Sequence, residues 1–282
     1  MSIVAIIGAG MLGGSLAHKL AARGRFDEVR LIDELRDIAV GKALDIQQAA
    51  AIETFHTTLR ADGDLGAAVG ADVVVITGPA EATETEWSEE SGLPLLDQVA
   101  AADPRAIIVC AGASHRRLIE RAVVELEIPR RRLIGSAPEG LRAALAAIVA
   151  LELGCPASEV ALTVLGAPPE HTVIPWSQAT VGGLALDQHL PAVALARLRE
   201  KLSRLWPLGP YALAAAAGRV SEAVIDGIGR NPACFVVLDG ELGTRGRSTA
   251  MRVELSTGGV VNVTEPSLSV QERVELETAL TN

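Results

Sequence analysis

The sequence predicts an α/β fold: a doubly wound parallel sheet followed by a mixed α+β second half. Three observations predict it. Short Val/Ile-rich runs alternate with Ala/Leu-rich segments of helical length through the first half, the pattern of βαβ units whose sheet is buried on both faces. Gly8, Gly10 and Gly13 form a G-x-G-x-x-G run directly after the apolar stretch Ile3–Ile7. The acidic Asp33 closes a second apolar run over 29–32, twenty residues after Gly13.

That spacing is a dinucleotide-binding fingerprint of the Rossmann type, and each part has a physical reason. Gly8 lets the chain turn tightly out of the first strand, Gly10 leaves room for a pyrophosphate, and Gly13 lets the next helix pack closely on the sheet. The helix, over 12–23, offers the free N–H groups of Met11, Leu12 and their neighbours and its positive dipole end to the phosphates. Asp33 is placed to accept hydrogen bonds from ribose 2'- and 3'-hydroxyls and to repel a 2'-phosphate, which favours NAD over NADP. Arg30 and Arg36 lie near enough in sequence to soften that repulsion.

In order along the chain, strands are expected near 3–7, 28–32, 72–77, 106–110 and 132–134. Helices are expected over 12–23, 37–50, 64–69, 92–102 and 115–126, punctuated by Gly24, Pro104 and Pro129. The second half reads as a helix over 140–153, a strand over 160–165, a turn-rich extended segment over 172–185, and helices over 191–205 and 210–227. Strands over 233–239 and 250–255 follow, with Gly258-Gly259 as a hairpin turn before 260–263. A Ser-x-x-Glu capping pattern, Ser269 to Glu272, opens a terminal helix over 269–279. Two domains are expected: 1–135, binding the dinucleotide, and 136–282, carrying the substrate side.

At 282 residues the chain can bury a sizeable core. A net charge of -10 argues against nucleic acid or an anionic membrane as partner, because phosphate contacts need clustered Lys and Arg. The densest basic stretch, 129–132, reads as a solvated helix end. No apolar run is long enough for a membrane span. Cys110, Cys155 and Cys234 form neither a C-x-x-C pair nor an even framework, which fits a reducing compartment, and the cytoplasm is the default expectation. No spacing of His, Cys, Asp and Glu suggests a metal site.

Over nearly its whole length the chain resembles the lactate/malate dehydrogenase family. The residues that carry the resemblance are Val4-Ala-Ile-Ile-Gly-Ala-Gly-Met-Leu-Gly-Gly14, Leu31-Ile-Asp33 and Gly41-Lys-Ala-Leu-Asp45. Further along come the strand over 72–77, Arg132-Leu-Ile-Gly135, Leu165-Gly166 with Val173-Ile-Pro175, Pro210-Tyr211-Ala212 and Leu238-Asp-Gly-Glu-Leu-Gly243. The resemblance implies a dehydrogenase-type second domain, NAD as cofactor, Thr77 and Gly78 beside it, a small-molecule substrate and a homodimer or homotetramer. It also implies a His that takes a proton from a 2-hydroxy acid, an Asp that orients it, and Arg side chains that clamp the carboxylate.

At those implied positions this sequence departs from the family. The loop after Thr77, where two Arg are expected, reads Gly78-Pro-Ala-Glu-Ala-Thr-Glu-Thr-Glu-Trp-Ser-Glu-Glu-Ser91, with five Glu and no cation, and would repel a carboxylate. The family's Asn before a proline falls on Ala111-Gly112. Its Asp-x-x-Arg pair falls on Leu141 and Ala144 without gaps, or on Glu139 and Arg142 after a two-residue shift. Its His falls on Pro168, with His171 displaced by three residues; His171 reads either as the proton acceptor, with Glu139 as orienter and Arg142 as anchor, or as an ordinary loop histidine. His115 is a further candidate for the cleft; His18, His56 and His189 read as structural. Two functions follow from the resemblance and its departures. One is an NAD-dependent oxidoreductase with a degenerate 2-hydroxy-acid site and an altered, neutral or cationic substrate, given Glu84, Glu86, Glu89 and Glu90. The other is a noncatalytic nucleotide-binding relative with a binding, sensing or structural role.

Overall fold

The computed structural model describes residues 1–80, 86–188, 190, 192–227 and 231–281. The first half runs β1 (Ile3–Ile7), α1 (Met11–Arg23), β2 (Glu28–Ile32), α2 (Arg36–Glu53), β3 (Thr58–Asp62), β4 (Val73–Ile76), α3 (Glu89–Ala102), β5 (Ile107–Cys110), α4 (Arg116–Glu125) and β6 (Leu133–Gly135). The second half continues with α5 (Ala137–Leu153), β7 (Val160–Ala161), β8 (Leu165–Ala167), β9 (His171–Val173), β10 (Thr180–Val181), β11 (Leu184–Ala185), α6 (Ala192–Leu202) and α7 (Pro210–Asp226). It ends with β12 (Ala233–Asp239), β13 (Arg245–Ser256), β14 (Gly259–Thr264) and α8 (Val270–Thr281).

Among the described residues the main sheet has eleven strands in the order β3-β2-β1-β4-β5-β6-β12-β13-β8-β9, with β14 beside β13. Its first six strands are parallel. β1, β4 and β5 are buried along their whole lengths, which is why their Val/Ile runs do not alternate. The order reverses between β1 and β4, so a crevice opens outside the carboxyl ends of these two strands. The sheet continues past residue 135 through Gly135 paired with Phe235. Helix α1 packs against α7 of the second half, and Arg23 on its last turn binds Glu222 at 3.0 Å.

Several expectations are corrected. β3 is not among the expected strands: Thr-Leu-Arg-Ala-Asp has no fully buried position and lies at the sheet margin, so no apolar face announces it. The helix expected over 64–69 is one 3-10 turn at Leu65–Ala68. Helix α3 starts at Glu89, three residues early, because Ser88 and Ser91 form a capping box. The expected strand over 160–165 divides: β7 joins β10 and β11 in a small sheet, and β8 joins the main one. The start of the helix expected at Pro191 lies outside the described residues. The basic stretch is not simply solvated, since Arg132 is 7% exposed and donates to the carbonyls of Asp103 and Ala106.

Candidate functional site

At the carboxyl end of β1 the chain turns on Gly8, whose φ of +107° disfavours any side chain. A Cβ there would fall on the Gly78 carbonyl, and one on Gly13 would fall on the Gly8 carbonyl. A Cβ on Gly10 would come within 2.6 Å of the Pro79 carbonyl oxygen. Gly10 is therefore small for the chain segment crossing above it as well as for a phosphate. That segment is laced to the turn: the Thr77 hydroxyl, fully buried, donates to the carbonyls of Ile7 and Gly8 at 3.0 and 2.9 Å, and the Gly10 N–H donates to the Gly78 carbonyl at 3.2 Å.

Asp33 sits across from the turn. One carboxylate oxygen accepts the N–H groups of Ala9 at 2.7 Å and Ala80 at 2.9 Å, and the other accepts that of Leu35 at 2.9 Å. The side chain lines a groove of about 350 Å³ with Ile7, Glu34, Leu35 and Leu95, a volume within the range of small-molecule sites. Arg30 is held away from it by Glu28 at 2.6 Å and by the carbonyls of Ala67 and Val69. Arg36 backs onto Gly63. The acidic pair Asp33-Glu34 thus meets the ribose end with Arg30 turned elsewhere, and the residues present fit a dinucleotide without a 2'-phosphate. Bound there, NAD would be held by Asp33 and by the first-turn N–H groups of Met11 and Leu12, which have no acceptor within the helix.

Two residues of this pocket were missed in the sequence. Trp87 forms a wall of the groove, and Lys42 of α2 donates to the carbonyls of Ala9 and Gly10. The available signals were slight: one of three Trp inside an acidic loop, and the one Lys of an Ala-rich helix.

Beyond the glycine turn, β5 ends at Cys110 and the chain runs through Ala111-Gly112 to His115, which is 1% exposed. Its Nδ1 accepts the Gly112 N–H at 3.1 Å, so the neutral ring carries its proton on Nε2, and that atom has no partner among the described residues. Burial pushes the imidazole below its ordinary pKa, against the opposing pull of Glu86 and the Trp87 backbone. Glu86 itself accepts from the N–H groups of Ala113 and Ser114 and from the Ser114 hydroxyl, at 2.8, 2.9 and 2.7 Å, at the start of α4.

The acidic residues expected over the cleft are accounted for locally. Glu86 serves this helix start, Glu89 and Glu90 lie in the first turn of α3, where they complement its dipole, and Glu84 lies outside the described residues.

Of the proposed catalytic set, Glu139 and Arg142 are brought together, and among the described residues no hydrogen bond joins either of them to His171. Glu139, 2% exposed, accepts both Arg142 bonds at 2.8 Å, Arg219 at 2.9 Å and the Ala233 N–H at 3.1 Å. It faces α7 and β12, and Leu141, two positions and about 200° further round the helix, is buried as well. His171 is half-buried on β9, paired with Ala167, and its ring has no side-chain partner among the described residues. Pro168, Pro169 and Glu170 form the turn before it, with Glu170 in the field of Arg116. His189 lies outside the described residues.

Among the described residues there is no group of three or more His, Cys, Asp and Glu that could hold a metal ion, and no helix long and apolar enough to cross a membrane. Cys110 and Cys234 are buried thiols, and burial pushes Cys110 up to about 12.

A reversed strand order, a glycine turn and an acid at the second strand define a dinucleotide-binding α/β protein. Residues 2–87 match the family model for the NAD-binding domain of lactate/malate dehydrogenase, so NAD is the dinucleotide of this pocket. The chain is 30% identical over 293 residues to a malate dehydrogenase of Cytophaga hutchinsonii, covering 98% of this chain and 94% of that one. A malate dehydrogenase of Thermomicrobium roseum is 29% identical over 289 residues, with 97% and 93% covered. The solved malate dehydrogenase of Salinibacter ruber superposes with a TM-score of 0.89 at 24% identity, covering 98% and 93% of the two chains. The chain belongs to the lactate/malate dehydrogenase family.

Proposed function

We propose that this chain is an NAD-binding member of the family whose cleft is degenerate for simple 2-hydroxy acids, and that it does not turn over malate or lactate efficiently. Oxidising such an acid needs a proton acceptor held in register by an acid and a cation for the carboxylate, while the bound nicotinamide supplies the hydride acceptor. The observation that carries the reading is Glu139: its carboxylate is shared among Arg142, Arg219 and the Ala233 N–H, leaving it unable to orient His171. Arg142, bidentate on the same carboxylate, is equally committed.

A second reading keeps His171 as the proton acceptor for a different small substrate, since its ring is half-buried and without a side-chain partner among the described residues. The domain division at 135/136, a reducing cytoplasmic setting and a homodimer or homotetramer belong to the same proposal. Three free cysteines support the setting, and exposed Leu44 and Ile52 on α2 support self-association.

The test is a fluorescence titration with NAD and NADH, followed by absorbance assays of hydroxy acids, alcohols and amino acids at saturating cofactor. Saturable NADH binding is expected, with malate turnover about a thousandfold below the ~10 per second typical of enzymes. Brisk L-malate oxidation overturns the reading. Turnover of another substrate that is lost in His171→Ala selects the second one.

A further inference from the structure

We infer that Lys42 is a positioning residue of the diphosphate site: it locks the peptide planes of the glycine turn so that the Met11 N–H faces the anion. The inference rests on NAD binding as read above.

The two ends of a trans peptide unit point to opposite sides, so fixing a carbonyl also aims the N–H that follows it. In the Ala9–Gly10 unit the carbonyl is held by Lys42 Nζ and the N–H by the Gly78 carbonyl. In the Gly10–Met11 unit the carbonyl accepts Lys42 Nζ at 3.2 Å and the Gly14 N–H at 3.0 Å, leaving the Met11 N–H at the open front of α1. Ala9 is thereby gripped by opposite charges, Asp33 on its N–H and Lys42 on its carbonyl.

The grip matters because glycine has no Cβ to restrict it. A turn containing Gly8 and Gly10 can rotate a peptide unit at small steric cost, and a rotated Gly10–Met11 unit would present its carbonyl oxygen to a diphosphate in place of the Met11 N–H. A cation bonded to that oxygen on the far side of the turn opposes the rotation and lowers the local potential for an anion. No other side chain does this. Residues 78–91 contain no Lys or Arg, the first turn of α1 has no charged residue, and among the described residues Lys42 is the cation bonded to the turn. The stem of Lys42 runs beside Gly14, where an added Cβ would lie 3.4 Å from Lys42 Cδ, so the small residue at 14 gives the lysine its path.

The experiment compares NADH, ADP and adenosine binding by calorimetry in the wild type, Lys42→Met and Lys42→Arg. Lys42→Met is expected to weaken ADP and NADH about tenfold or more, the loss of one hydrogen bond to a charged group, with adenosine unchanged. Lys42→Arg, which restores charge and donors, is expected to recover part of the ADP affinity. If Lys42→Met does not fold, Lys42→Gln takes its place, with the ADP-to-adenosine affinity ratio again expected to fall.

Unchanged ADP binding, or an equal loss of ADP and adenosine, overturns the role of Lys42 while leaving the cofactor assignment intact. Wild-type protein that binds neither NADH nor ADP overturns both.

Discussion

His115 shows how one buried ring sets a pH limit. Burial holds it neutral in the folded chain, facing Glu86 and the Trp87 backbone, whereas in the unfolded chain it protonates around its ordinary value of 6.5. Below that value the unfolded chain binds a proton that the folded chain refuses, so stability falls as the medium is acidified, by at most about 1.4 kcal/mol per pH unit. Urea midpoints at about pH 7.5 and about pH 5.5 check this: the drop should be smaller in His115→Gln than in the wild type, and equal drops would refute it. At this scale the nucleotide half of the site was legible, because Gly8, Gly10, Gly13 and Asp33 act through local backbone geometry that spacing encodes. The surroundings of Glu139 were not. Glu139 and Arg142 stand at the right helical spacing, but the fate of Glu139 is decided by Arg219 and the Ala233 N–H, which α7 and β12 bring from far downstream.

Among the elements, α8 is tied down by polar bonds at its first turn and by buried Leu276, Ala279 and Leu280 beyond it. Glu272 accepts from the Ser269 N–H and hydroxyl at 2.9 and 2.8 Å, completing the expected capping box, and also from the Ser177 N–H and hydroxyl at 3.0 and 2.6 Å. Burial acts to raise its pKa, but the bonds from Ser177 and Ser269 outweigh it and hold the carboxyl below its ordinary 4.5. The stabilisation is present above that value and lost as pH falls through the lower folded one. Glu272→Ala is expected to destabilise the protein by about 2 kcal/mol, read as a lower urea midpoint, with a smaller loss for Glu272→Gln. The cap was legible because its partners are three residues apart. The link to Ser177 was not, since 95 residues separate the pair.

For the whole molecule, the decisive fact is the shared sheet. The pairing of Gly135 with Phe235 and the Arg23–Glu222 bridge join the halves on either side of residue 135. Trp87 reports on the first half, and Trp176 and Trp206 on the second. Variants keeping one Trp each should melt at a common midpoint, shifted upward together by NADH. Separate midpoints would mean that the halves unfold independently.

The margin strand β3 carries a last consequence. It carries two charged residues, Arg60 and Asp62, and Arg60 reaches over the neighbouring strand to Glu28 at 3.4 Å. A second molecule trying to zip onto that rim would have to strip water from these charges, so the rim is guarded against runaway fibre growth. Copies of this protein that meet in solution are turned away from this rim.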